Sequence, residues 1–483
     1  MRVAPRPLDL RLLGLIVGLA AALYLLLLCP EAYWGDSAAL SSLLDSVPKP
    51  FTRSYWLYKR SALALSTLGL EPAVAANAAS ALFGALGVGA AGAAVFRWGG
   101  GRLGALVAAG SLAVAHTWWS MAEVAEVYTL HGLLLLGLVA LAPSTGRRGL
   151  LALGLLAGLS LNHHRMILPA VVLTLGFAAW RVPGQRRTLA LGLGLGALPW
   201  LFLCVRFGPW TLDPPEGVGA LQLWVERALL GGRGSAAEIL GTRGDLLGSL
   251  ARIGRFVLLN FPGPALLLAL PGARWLARRD PGGAALGLGL AMSALAMALA
   301  LRWAGDAHVY LVSLHPLLAV LAGLGASAVA THRPRLAAGT GALAAIAPPV
   351  LYALLAFGPL GEVVSPSADD EARAELFWPG RAGWSEGSSW WLARSADLPD
   401  GALVVPRWRE GTVLEYRQQE LGFRVDLGLQ LSPARPLLLE SPSRATFVTW
   451  TPATAEVPTD VARLDLLLQG DQPGIRRVVL REW

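Results

Sequence analysis

Residues Leu12–Leu28 read LLGLIVGLAAALYLLLL, an uncharged run preceded by Arg2, Arg6 and Arg11 and followed by Cys29 and Pro30. A basic start before a leucine-rich run fits either a cleaved secretory signal or an uncleaved membrane helix. No small-x-small cleavage site follows, and the run is long enough to span a bilayer, so the sequence predicts a first transmembrane helix over 12–30. Lipoprotein processing at Cys29 is disfavoured, because Leu27 and Leu28 are bulky where small residues are required.

The pattern recurs along the chain. Further apolar runs, bounded by charges or by Gly/Pro clusters, fall at 72–96, 103–117, 127–143, 149–163, 166–181, 188–206, 255–273, 284–302, 308–330 and 337–357. The composition agrees: 54% of the 483 residues are hydrophobic and 15% charged, against about 25% charged in soluble domains. The reading is an α-helical polytopic membrane protein of about eleven transmembrane helices. A formal net charge of +8 raises the possibility of nucleic-acid binding. That class is excluded by distribution, since many of the arginines punctuate the gaps between apolar runs. The two cysteines, Cys29 and Cys204, lack metal-ligand spacing and read as buried small residues, with a single bridge as the alternative.

Those arginines also orient the chain. Arg2/Arg6/Arg11, Arg97/Arg102, Arg147/Arg148, Arg181/Arg186/Arg187, Arg274/Arg278/Arg279 and Arg333/Arg335 occupy alternate short gaps, the signature of cytoplasmic loops. The expectation is a multi-pass cell membrane protein with a cytoplasmic N-terminus. Segments 31–71, 117–127, 162–166, 207–254, 303–308 and the tail are then extracytoplasmic. Composition shifts after 357 towards Asp, Glu, Ser and Pro, which divides the chain into a transmembrane domain, 1–357, and a small extracytoplasmic α/β domain, 358–483. In the latter, Ala402–Pro406, Pro436–Glu440 and Thr446–Thr449 read as strands, and Thr412–Glu420 as helix.

Polar residues gather in the outer segments. Tyr33-Trp34-Gly35-Asp36-Ser37 follows the first helix, and a carboxylate there suits a general base or a divalent cation held against a lipid phosphate. The structural alternative is a helix N-cap at Asp36 or Ser37, opening a helix through Leu44. Lys49, Arg53, Lys59 and Arg60 are interleaved with Phe51, Tyr55, Trp56 and Tyr58, which suits a lipid-linked phosphate or plain interfacial anchoring. In the second segment Glu123 and Glu126 are three apart, and Glu126 enters an apolar helix beside Tyr128. Asn162, His163 and His164 follow; adjacent histidines on a helix do not share a face, so hydrogen bonding is favoured over a metal. Trp210 with Asp213, and Asp306 with Tyr310, complete the set; capped helix ends or interfacial anchors are the bland readings of both.

The run Trp119-Ser120 through Ala125-Glu126-Val127-Tyr128-Thr129-Leu130-His131 resembles a motif of a large bacterial membrane family of unknown function. Its animal relatives are protein O-mannosyltransferases, within the GT-C superfamily of polyprenyl-phosphate-sugar glycosyltransferases. Gly35-Asp36-Ser37, Asn162-His163, Trp210 with Asp213-Pro214, Asp306 with Tyr310, and Leu398-Pro399-Asp400-Gly401-Ala402 agree with it in order. The resemblance implies a GT-C-like fold and inverting transfer of a sugar from a polyprenyl-phosphate donor to a protein, glycan or lipid hydroxyl outside the cytoplasm. Asp36 corresponds to the catalytic aspartate, and whether a divalent cation assists is left open. Two features depart from the family: Ala38 and Ala39 stand where it carries a further acid, and Lys49–Tyr55 replaces its His-Pro-rich stretch. The rival readings are a transporter or lipid flippase, disfavoured by the absence of an internal repeat, and a catalytically degenerate binding protein.

Overall fold

The computed structural model describes residues 6–42, 55–163, 165–207, 246–300, 307–366, 368–384, 386–395, 398, 403–405, 408–423, 428–429, 446–449, 466–469 and 475–480. Lys49, Arg53, His164, Trp210, Asp213, Asp306 and the expected strand 436–440 lie outside them. The described part of the membrane region is a bundle of α-helices, as expected of a multi-pass membrane protein. Among the described residues four helices are long and apolar enough to cross a bilayer unaided: Pro72–Arg97, Pro281–Leu299, Val309–Ala330 and Pro334–Phe357. Others matching expected runs are shorter, including α1 (Leu10–Leu26), Arg102–Ala113, Tyr128–Leu141 and Leu168–Arg181. Leucines exposed on the bundle's flank, among them Leu19, Leu191, Leu267 and Leu288, mark surface facing lipid.

Helix α1 begins where the Asp9 carboxylate accepts the Leu12 amide (3.2 Å) and pairs with Arg102 (2.7 Å). Then come α2 (Asp36–Ser41), α3 (Trp56–Ser66), α4 (Pro72–Arg97), α5 (Arg102–Ala113), α6 (His116–Glu123), α7 (Tyr128–Leu141) and α8 (Arg147–Ser160). After α9 (Leu168–Arg181) follow α10 (Arg186–Phe207), α11 (Leu246–Asn260), α12 (Pro264–Arg279), α13 (Pro281–Ala300), α14 (Leu314–Ala330) and α15 (Pro334–Phe357). Helix α4 is central because it is made of Ala and Gly: small side chains let α1, α3, α5 and α7 approach its axis. Glycines also join α8 to α10. A Cβ on Gly154, Gly158, Gly192 or Gly196 would lie 2.0–2.4 Å from a backbone oxygen of the facing helix. In lipid such close backbone contact replaces the hydrophobic driving force available in water.

The expected span 255–273 is not one helix. Helices α11 and α12 are bent by 102° at Phe261-Pro262-Gly263. Pro262 has no amide hydrogen to continue the ladder, and Gly263 takes φ +71°, a conformation that an L side chain resists. Asn260 holds the bend: its Oδ1 accepts the Thr117 amide (2.7 Å), and its Nδ2 donates to Thr117 Oγ1 (3.1 Å) and Phe256 O (2.8 Å).

Beyond α15 lie α16 (Pro359–Val364), α17 (Asp370–Phe377), α18 (Glu386–Ser395) and α19 (Trp408–Leu421). Strands β1 (Leu403–Val405), β2 (Gly428–Leu429), β3 (Thr446–Thr449), β4 (Leu466–Gln469) and β5 (Ile475–Leu480) form one mixed sheet in the order β2-β1-β3-β5-β4. β1 is parallel to both β2 and β3, while β5 is antiparallel to β3 and β4, with Phe447 opposite Arg477.

Candidate functional site at the tail-covered end

Asp36 sits at the first position of α2, whose N-cap is Gly35 at φ +67°. This corrects the N-cap alternative. No side chain caps α2, and Ser42 leaves the helix in an extended conformation, so it ends well before Leu44. Asp36 is half-buried, and a carboxylate in a first helical turn is favoured by the exposed amides there. Ser37 is fully buried, and its Oγ has no hydrogen-bond partner among the described residues.

The tail covers this loop. Helix α19 lies on α2, where Ala32, Ala38, Ala73, Trp391, Val413, Leu414 and Tyr416 share one apolar cluster. Ser42 Oγ donates to Gln419 Oε1 (2.6 Å), and Tyr416 OH donates to Glu71 Oε1 (3.1 Å) at the start of α4. From the other side, Trp384 meets Tyr33 at a tilt and Trp34 edge-on, at 4.5 and 5.5 Å between ring centroids. Tyr33 OH donates to Glu375 (2.9 Å), and the Arg381 guanidinium lies over the Tyr33 ring.

Glu123, fully buried at the end of α6, joins these parts. Its carboxylate accepts the Trp119 indole N–H on one oxygen and the Arg381 amide on the other (2.7 Å). Its carbonyl accepts the Cys29 amide (3.0 Å). Burial pushes this carboxyl up to about 9, against the pull of the two N–H donors and of Arg381. Asn77 of α4 is equally buried and donates to the carbonyls of Cys29 (2.8 Å) and Glu31 (3.0 Å), which fixes the chain just before Asp36. Cys29 is a free thiol whose Sγ donates to Glu31 O (3.2 Å), so the bridge alternative is set aside.

Glu126 does not enter a helix as expected. It lies in the break between α6 and α7, half-buried, with its amide and carbonyl both bonded to Ser80 Oγ (3.0 Å each). Ser80 in turn bonds Tyr58 OH (2.8 Å). Tyr128 opens α7 and meets Tyr310 edge-on at 6.5 Å. One turn along, His131 Nε2 lies 2.6 Å from Ser313 Oγ, and its ring is 5.7 Å from that of His163. Asn162, buried beside His163, donates to Leu159 O (3.2 Å) and leaves its Oδ1 without a partner among the described residues.

The described candidates therefore fall into two groups bridged by the α6–α7 break. One surrounds Asp36 and Ser37 beneath the tail; the other comprises Tyr128, Tyr310, His131, Asn162 and His163. Sequence reasoning named Glu123 and His131 without giving either a role, and passed over Asn77 and the tail residues Arg381 and Trp384. Asn77 carried a signal, a lone amide in an alanine helix; the tail residues carried none. Among the described residues no three His, Cys, Asp or Glu side chains converge as a metal cluster would.

No protein-family model matches the sequence, and no curated protein matches it. The structure is similar to crystal structures of ArnT from Cupriavidus metallidurans. The apo form aligns at TM-score 0.53 and 15% identity over 96% of this chain and 97% of that one. The form bound to undecaprenyl phosphate aligns at TM-score 0.51 and 16% identity over the same shares. The similarity runs the length of both chains, so the chain shares the overall fold of these ArnT structures.

Proposed function

We propose that the chain is a membrane glycosyltransferase that moves a sugar from a polyprenyl-phosphate donor to an acceptor hydroxyl on the extracytoplasmic face. The observation that carries this reading is the whole-chain similarity to ArnT, a protein crystallised with undecaprenyl phosphate. The reading includes eleven spans, a cytoplasmic N-terminus and an extracytoplasmic α/β domain over 358–483. Protein O-mannosylation is the finer version suggested by the motif around Glu126–His131.

In this mechanism Asp36 takes the proton of the acceptor hydroxyl as that oxygen attacks the anomeric carbon. The attack comes from the face opposite the lipid phosphate, so the configuration inverts. A phosphate leaves without protonation, so one carboxylate suffices, and basic side chains offset the charge that develops on the leaving group. Lys49, Arg53, Trp210, Asp213 and Asp306 are assigned to donor or acceptor binding on sequence grounds. Ser37, Glu126, Tyr128, Asn162, His163 and Tyr310 are assigned the same role; Glu126 lies in the α6–α7 break and the others in the two groups that it bridges.

The test is sugar transfer by purified protein in lipid, from a panel of polyprenyl-phosphate sugars. Wild type is expected to transfer or hydrolyse donor, and Asp36→Asn to lose at least about a hundredfold in rate, the usual worth of a positioned base. Equal turnover by both proteins removes Asp36 from the mechanism. Uptake or lipid scrambling that survives Asp36→Asn, without transfer by either protein, replaces the enzyme reading with the transporter.

A further inference from the structure

The end of the bundle opposite Asp36 carries a second polar concavity. The residues Pro143-Ser144-Thr145-Gly146-Arg147-Arg148-Gly149 turn from α7 into α8. Beside them opens a groove of about 590 Å³ lined by Leu8, Ala93, Arg97, Ala140, Ser144 and Arg148, among others. That volume falls within the roughly 300–1,000 Å³ of small-ligand pockets.

Its polar wall is fixed in place. Arg97 at the end of α4 donates through Nη2 to Ser144 Oγ (2.8 Å) and through Nε to Ala140 O (3.4 Å). Ser144 is buried under the first turn of α8, so close that a Cβ on Gly149 would lie 2.7 Å from the Ser144 Cβ. Helix α8 follows its N-cap Gly146 with no side-chain cap among the described residues, and Gly146 and Gly149 of this amino end line the groove.

The charge is one-sided. From Val127 to Leu212 the sequence holds no Asp or Glu. At this end Asp9 is paired with Arg102, and Asp280 with Arg181 (2.5 Å). Neither Arg97 nor Arg148 has an ion-pair partner among the described residues. The opposite wall is aliphatic (Leu8, Ala93, Leu141), with Leu8 exposed at the surface.

We propose that this groove binds the phosphate headgroup of an anionic membrane lipid. Arg97, Arg148 and the α8 amino end receive the phosphate, and the aliphatic wall takes the first carbons of the acyl chains. A free anion would use the basic wall alone; the two-faced lining is what selects a lipid. This site is independent of the proposed transferase chemistry, which lies at the other end of the helices.

The test uses full-length protein in nanodiscs of mixed phosphatidylcholine and phosphatidylglycerol, with retained lipids counted by native mass spectrometry. Wild type is expected to retain phosphatidylglycerol preferentially. Arg97→Gln and Arg148→Gln are each expected to weaken that retention about fivefold, the worth of one basic residue at an anionic surface. Arg148 is exposed, so its replacement leaves folding intact even if Arg97→Gln does not. Arg187→Gln, at the same end but outside the groove, is expected to change nothing. No lipid preference, or an equal loss in Arg187→Gln, overturns the proposal. So does competition by millimolar inorganic phosphate that matches phosphatidylglycerol, since the ligand is then the soluble anion.

Discussion

Replacing Glu123 by alanine is expected to loosen the tail from the membrane region without unfolding the bundle. Glu123 receives two N–H donors in a site closed to water, the Trp119 indole and the Arg381 amide. Their fates differ. The Arg381 amide also reaches Leu27 O (3.0 Å) and keeps a partner after the substitution. The Trp119 indole N–H loses its acceptor and stays buried, which costs about 2 kcal/mol. Because that cost applies only while the tail is docked, the undocked population rises by about thirtyfold. Hydrogen exchange read by mass spectrometry over residues 378–384 measures this directly. An unchanged exchange rate there, in a variant that remains folded, refutes the assignment of Glu123 as the joint. The pH dependence has a definite sign. Burial raises this carboxyl from 4.5 to about 9, so the folded state holds a proton that an exposed carboxyl releases. The buried arrangement is therefore most stable below about pH 4.5 and loses stability as pH rises towards 9. Glu123→Gln is expected to abolish that slope, since its amide does not titrate.

Asn77→Ala removes the donor to Cys29 O and Glu31 O, and is expected to cost about 1–3 kcal/mol and to raise hydrogen exchange across 29–36. Gly158→Val drives a side chain into Leu193 O, which a Cβ alone would approach to 2.3 Å; α8 and α10 are expected to separate, with a fall in thermal midpoint and in yield of monodisperse protein. Gly132→Ala meets the Trp118 ring at 2.2 Å and is expected to destabilise by about 1–3 kcal/mol, read as a lower midpoint in thermal unfolding. Tyr352→Phe deprives the His116 amide of its acceptor (3.0 Å) and is expected to cost about 1–3 kcal/mol by the same measurement.

Much of the helical framework is legible because hydrophobic length and arginine spacing act locally: the run 72–96 differs from α4 only by Arg97. The break at 261–263 was written in the sequence as Pro262-Gly263-Pro264, yet apolar residues on both sides averaged it away. The site was harder for a specific reason. Glu123 and Glu126 share a face only if the helix continues between them. Val124 is extended (φ −124°, ψ 159°), so one carboxylate is buried and the other turns half outward. Spacing alone could not choose between them, since the choice depends on Arg381, more than two hundred positions away.

The placement of Asp36 follows from the same non-local logic. Helix α2 has six residues, too few to hold itself, because nucleating a helix costs more than so short a ladder returns. Three outside supports fix it: Asn77 grips the chain before it, Trp384 packs against Tyr33 and Trp34, and α19 covers its apolar face. Two of the three come from beyond residue 380. A tail that contributes two supports to a six-residue helix acts on whatever chemistry that helix carries. Substitutions at Val413 or Leu414 are therefore expected to act on Asp36 through position, altering turnover more than donor affinity.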